Sequence, residues 1–395
     1  MGAVIGGRKR QSSQSGGQMT SNGSPDLMEA AAKAKADAAA SVPFAAAELD
    51  KAEASLQQLC HEVEEGASAI DWSAYRELLK ASAHLPHKDW ARTADAATGL
   101  AKIVGGPDDA AFRSIFERVL NDGGWNEAVA AAAASSAADT SYKPWAVLIT
   151  GVNGIRKTSS IYQPWFKEVL GQALADAGAS NGSCGEVGDL PVGANSFFRQ
   201  LDYIASTVAC EELRSLYTIA DVGDYAKFKD SIYARYRTLS EMVGALLVEE
   251  AKKRKMNVMV ETSGRDVAMF KYVDHFFDDA SYRKLVVHFG VNDVSFAEKS
   301  VDTRMVGEQA AGRAALASGE PKALIATNAG GPYGSAVLRQ VEAESNAVWA
   351  KVVDDPAFSR WHKARIFIHG RDEGSWTESA HGDGKQEFEF GPARS

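Results

Sequence analysis

The chain has 395 residues, 45% of them apolar and 24% charged, enough for one large core or two to three smaller domains, which excludes a peptide, a fibre or a wholly disordered chain. Its 43 basic against 52 acidic side chains leave a formal charge of −9. That balance excludes a general electrostatic grip on nucleic acid or on an anionic membrane, so any bound anion needs a local site. Cys60, Cys184 and Cys210 form no CxxC pair, so neither a zinc site nor a disulfide framework is written and a reducing compartment is expected.

Residues 1–25 are rich in Gly, Ser, Gln and Asn and are expected to be disordered. This start lacks the apolar stretch of a secretory signal, and no apolar run in the chain approaches the ~20 residues that span a bilayer. Gly2 followed by Arg8, Lys9 and Arg10 touches the myristoylation pattern, which wants Ser or Thr where Gly6 stands. The same basic, acid-free start is compatible with a transit peptide. Cytoplasm is the expected location, without stable membrane insertion.

From residue 26 to about 140 the sequence is heavy in Ala, Leu, Glu and Lys. Trp72, Tyr75, Leu78 and Leu79 carry the spacing of a helix with one buried face, and Pro43, Pro86 and Gly105-Gly106-Pro107 divide the region into several helices. Ala128 to Ala138 has little apolar volume and reads as an exposed helix or a linker. The region reads as an all-helical bundle or cap without chemistry of its own and with no identifiable protein partner.

From Lys143 the pattern changes. Short runs rich in β-branched residues, Trp145–Thr150, Asn257–Thr262, Leu285–Val291, Ala323–Thr327 and Arg365–His369, alternate with long amphipathic stretches, which predicts an α/β layered domain over residues 141–380. Residues 381–395 are expected to form a flexible tail. Between the first two runs, Phe228, Ile232, Tyr236, Leu239, Val243 and Leu247 predict one long helix, about Tyr225 to Lys255, ending in the cations Lys252-Lys253-Arg254-Lys255, where the helix dipole is negative.

The first run leads into Gly151-Val-Asn153-Gly154-Ile155-Arg156-Lys157-Thr158-Ser159, a strand, a glycine loop and a helix-forming segment in the order of a P-loop. Such a loop turns sharply so that successive N–H groups point at phosphate, with a lysine for the β/γ-phosphates and a hydroxyl for Mg²⁺. Gly151, Asn153, Gly154, Ile155, Arg156, Lys157, Thr158 and Ser159 are therefore the candidate ATP-binding residues, with Thr158 as metal ligand. Against G-x-x-x-x-G-K-[ST] one fixed position departs: Arg156 replaces the glycine before the lysine. If that residue has helical dihedrals, its side chain is free to swing outward; otherwise it crowds the loop. No [NT]KxD element for reading guanine is present.

Farther on, Val258-Met-Val-Glu261-Thr262-Ser263-Gly264-Arg265-Asp266 is an apolar strand ending in acid, hydroxyls, glycine and arginine. Together with the loop, this resembles the zeta-toxin-like P-loop kinases, over about Lys143 to Gly370. The resemblance implies a mostly parallel sheet flanked by helices, with Lys157 and Thr158 on nucleotide and Mg²⁺. It implies Arg304 or Arg313, in the stretch after Leu285–Val291, as the lid charge on the transferring phosphate. Glu261, at a strand end beside the loop, is where an acid contacts substrate or the metal's water shell, and Arg265 joins it as a substrate contact. For the family's base, an Asp near the end of the second strand, the match is Asp202, with Arg199 as a substrate-phosphate contact; Asp221 and Asp224 are rivals. Members of the family phosphorylate a nucleotide-sugar, UDP-N-acetylglucosamine, the acceptor the resemblance implies.

Other patterns are weaker. His84 and His87 lack further ligands at metal spacing. Asn328-Ala-Gly330-Gly331-Pro332-Tyr333 follows a predicted strand and either lines the pocket or is a plain turn. Ser159, Ser183 and Ser263 sit in no Gly-x-Ser-x-Gly elbow, which disfavours a serine hydrolase built on them. The expected activity is that of an ATP- and Mg²⁺-dependent small-molecule kinase. The alternative is a nucleotide-binding or inactive scaffold in which Arg156 has cost the loop its geometry.

Overall fold

A computed structural model describes residues 25–60, 70–176, 190–368, 375–382 and 385–391; the expected disordered start at 1–24 lies outside them. Seven helices come first: α1 (Pro25–Ala39), α2 (Ala46–Cys60), α3 (Trp72–Ser82), α4 (Trp90–Val104), α5 (Ala110–Ile115), α6 (Glu117–Asp122) and α7 (Trp125–Ala138). Asp71 caps α3 by accepting from the Ala74 N–H at 2.9 Å, and Asp89 caps α4. Each satisfies a backbone donor that a helix start leaves open.

The α/β part follows as β1 (Trp145–Thr150), α8 (Lys157–Ser160), α9 (Pro164–Asp176), β2 (Ser196–Arg199), α10 (Leu201–Val208), α11 (Cys210–Leu216), α12 (Val222–Arg235) and α13 (Arg237–Lys253). Then come β3 (Asn257–Glu261), α14 (Ala268–Phe276), β4 (Arg283–Val291), α15 (Val294–Ser318), α16 (Pro321–Ala326), α17 (Leu338–Asp354), β5 (Trp361–Ile368), β6 (Ser375–Gly382) and β7 (Lys385–Gly391). Among the described residues one sheet holds seven strands in the order β2-β3-β1-β4-β5-β7-β6. Every pairing is parallel except the edge pair β6/β7. All six residues of β1 are buried, as the central strand of a sheet covered on both faces requires. The fold is thus α/β, a mostly parallel sheet flanked by helices and preceded by an all-helical region.

Several expectations change. The single helix over Tyr225–Lys255 is two, α12 and α13, with Tyr236 between them at φ −93°, ψ 8°. The break is tertiary: Arg235 binds the carbonyls of Val42 and Pro43 and the Glu48 carboxylate, while Tyr236 packs edge-on against Phe44. Apolar spacing runs through the joint unchanged, so periodicity does not reveal it. Ala323–Thr327 is not a strand but falls mostly in α16, which starts on Pro321, and a five-residue apolar run cannot distinguish the two. The strand β2 had no prediction, and 385–391, expected in a tail, forms β7 between β5 and β6.

The helical region is not a detached cap. Its buried side chains share one continuous core with the sheet domain, and Lys35 pairs with Asp230 across α1 and α12. Residues 128–138 are helix rather than linker, with Ala128 and Ala132 buried and most of the rest on the surface. They belong to α7, whose Trp125 packs against Phe197 of β2 with ring centroids 4.9 Å apart. Arg254 and Lys252, from the basic run at the end of α13, pair with Glu250, Asp108 and Glu249, which fits a solvated helix end.

Candidate functional site

The site lies at the C-terminal edge of β1 and β3, where ligands gather in open parallel sheets. Gly151 at φ 134° and Gly154 at φ 87° turn the chain there. A Cβ on Gly154 would sit 2.5 Å from the Ala297 carbonyl oxygen and 2.8 Å from Val301 Cγ2, so α15 closes against the loop only because that residue is glycine. Arg156 is exposed and left-handed at φ 63°, ψ 29°. The position that departs from the motif has kept the glycine conformation while holding an arginine. That conformation costs a non-glycine residue about 1–2 kcal/mol.

Lys157 is buried; its Nζ donates to the Val152 carbonyl at 2.9 Å and lies 3.2 Å from Glu261 Oε1. Thr158 Oγ1 donates to Glu261 Oε2 at 2.8 Å. The register explains this convergence, since β1 and β3 pair Ile149 with Glu261. One carboxylate thus bridges the two loop side chains. Ser159 points back to the Arg156 carbonyl at 3.0 Å.

Asp202 stands in the first turn of α10, directly after β2. Burial pushes its carboxyl above the usual range and the nearby Glu261 charge adds to that, while Lys229, Arg304 and Arg237 pull it back. Facing it is the strap 328–334. A Cβ on Gly331 would lie 2.7 Å from Asn153 Nδ2 and 3.3 Å from Asp202 Oδ2. The loop's Asn153 and the carboxylate of Asp202 therefore meet at one point. Arg304 donates to the Gly331 carbonyl at 3.1 Å and lies 3.6 Å from Glu308, and Arg265 sits 5.1 Å over the ring of Tyr333.

Beneath the strap is a buried polar group that the sequence did not reveal. Glu308 accepts from Lys229 at 2.7 Å, Tyr225 at 2.9 Å and the Ala329 N–H at 3.0 Å. Burial pulls the Lys229 ammonium below its ordinary value, opposed by Glu308. The i,i+4 spacing of Arg304 and Glu308 was legible; nothing in the pattern of α12 singles out Lys229.

Other candidates go elsewhere. Arg199 is fully buried in an ion pair with Glu241, over the ring of Tyr272, and is a core residue rather than a substrate contact. Arg313 reaches the Ile219 carbonyl at 3.4 Å, away from the loop, which leaves Arg304 at the site. Asp221 caps α12 through the Asp224 N–H, and Asp224 pairs with Lys227. Asp202 is the one of the three carboxylates that faces the loop. Burial lowers His87 to about 4, and among the described residues no group of three or more His, Cys, Asp or Glu is arranged to hold a metal. No helix among the described residues is long and apolar enough to cross a membrane.

No protein-family profile matches this sequence, and no curated protein matches it. Among solved structures, it is similar to a chain from the molecular and structural characterization of the PezAT chromosomal toxin–antitoxin system of Streptococcus pneumoniae. The likeness covers 62% of this chain and 78% of that one, at 14% identity and a TM-score of 0.34.

Proposed function

We propose that the protein is a cytoplasmic, ATP- and Mg²⁺-dependent phosphotransferase acting on a hydroxyl of a small molecule. The observation that carries this reading is the convergence of Lys157, Thr158 and Glu261 where β1 and β3 end, with Asp202, just after β2 on the same edge of the sheet, facing the loop's Asn153 across Gly331. Phosphoryl transfer is served mainly by positioning and charge neutralisation, and this set supplies a cation for phosphate, hard oxygens for a metal and a carboxylate for the acceptor proton. The donor set fits Mg²⁺, which takes one or two protein oxygens and completes its shell with phosphate and water. Thr158 and Glu261 would hold it, and it would neutralise charge on the phosphates. Lys157 and Thr158 exchange their bonds to Glu261 for the nucleotide. Asp202, held above the ordinary carboxyl range, accepts the acceptor's proton, and Arg304 turns from Gly331 toward the phosphate.

The resemblance to zeta-toxin-like kinases supports a nucleotide-sugar, UDP-N-acetylglucosamine, as acceptor, with Arg265 as a substrate contact. The experiment is incubation of the protein with Mg²⁺, γ-labelled ATP and that sugar. A labelled phosphosugar supports the reading; label released only as phosphate overturns the acceptor, and no transfer to sugar or water overturns the enzyme. One observation favours an inactive scaffold whose loop has lost nucleotide instead: Lys157 is turned into its own loop, on the Val152 carbonyl, behind a left-handed Arg156. Under that reading Arg156→Gly restores ordinary micromolar ATP binding to a protein that lacks it.

A further inference from the structure

The turn between α6 and α7 enters the sheet domain beside the candidate site. The Gly123 carbonyl accepts from the Phe198 N–H at 2.8 Å, and the Asp122 carbonyl accepts from Gln200 Nε2 at 2.8 Å and from the Tyr162 hydroxyl at 3.3 Å. A Cβ on Gly123 would lie 2.9 Å from both Phe197 Cε2 and the Phe198 carbonyl oxygen, so this approach needs glycine. At the centre is Arg118. Its guanidinium donates to the carbonyls of Ile325 and, at 2.7 Å, Asn328, pairs with Asp122 at 3.2 Å, and lies 3.7 Å over the ring of Tyr203.

Both ends of that contact lead to the site. Tyr203 adjoins Asp202. Asn328 opens the strap, and its side-chain amide donates to the Asp202 carbonyl at 3.2 Å and to the Tyr233 hydroxyl, which itself donates to the same carbonyl at 3.1 Å. Three residues on, Gly331 faces Asp202 and Asn153. A planar fork stacked on an aromatic ring fixes two carbonyls in a way that an ammonium cannot.

We infer that Arg118, from the helical region, is a positioning residue for the candidate site, setting the strap 328–334 and the turn that carries Asp202. The helical region thereby completes the site. This rests on the phosphotransferase reading for its effect on turnover, but not for its effect on the strap.

The test uses the full chain as native protein, Arg118→Lys and Arg118→Ala, each checked for cooperative unfolding. Three quantities are measured: Mg·ATP affinity, release of labelled phosphate, and amide exchange over 328–334. The expected result is strap exchange at least tenfold faster in both variants, ATP affinity within twofold of native, and turnover reduced tenfold or more. A merely structural role would lower affinity and turnover together, and that result overturns the proposal. Native-like exchange in Arg118→Lys, the variant that keeps the charge, also overturns it. If the native protein binds ATP without turnover, the phosphotransferase reading falls, and strap exchange alone decides for or against Arg118.

Discussion

Replacing Lys229 by methionine tests the buried polar group beneath the strap. Lys229 and Glu308 have side-chain exposures of 0% and 1% and lie 2.7 Å apart. Methionine keeps most of the volume of the lysine stem, so what is lost is the ammonium. Stranding one partner of a buried pair costs about 3–5 kcal/mol. Here the low end, about 3 kcal/mol, is expected, because Glu308 keeps the Tyr225 hydroxyl, the Ala329 N–H and, at 3.6 Å, Arg304. Glu308→Gln leaves the lysine stranded in turn. In the double variant no buried charge is unpaired, so its loss should fall short of the summed single losses by about 1.5 kcal/mol or more. The assay is urea unfolding of the four proteins at one pH, read as midpoint times slope. Single losses below about 1 kcal/mol, or strictly additive ones, would refute the reasoning.

Arg156→Gly relieves about 1–2 kcal/mol of left-handed strain and gives back about 0.5–1 through the freer unfolded chain. Equilibrium unfolding should show a net gain centred on about 0.7 kcal/mol and no larger than about 1.5 kcal/mol. Asp202→Asn should lower phosphoryl turnover about 10²–10⁴-fold while raising stability at pH 8. Because the folded-state carboxyl lies above its unfolded value, ionising it opposes folding above the folded pKa, and the penalty is gone below the unfolded pKa. The stability advantage of the Asn variant should therefore shrink as pH falls through the acid range. Arg304→Met should lower turnover roughly 10²-fold and Arg313→Met should leave it unchanged in the same assay.

What the sequence made legible was local. The loop, the Glu261 strand end and the alternation of strands with helices are encoded by residues adjacent in the chain, and the structure gathers them by pairing β1 with β3 in parallel. Four residues of β2 were too few to show a period, yet that strand delivers Asp202. Arg199 beside it looks identical in sequence whether it meets phosphate or Glu241; only the packing of α13 over β2 decides. The joint at Tyr236, the role of Lys229 and the reach of Arg118 all depend on contacts between residues more than 70 positions apart. No local propensity carries that information. Arg156 is the reverse case: the substitution was plain, but its left-handed backbone was not.

The most direct test of the central claim is calorimetric titration with Mg²⁺ and a non-hydrolysable ATP analogue, native protein beside Lys157→Ala. Binding at micromolar strength that disappears in the variant is the expected result. Absence of binding to the native protein, or binding that Lys157→Ala leaves intact, would contradict the account of the glycine loop as the nucleotide site.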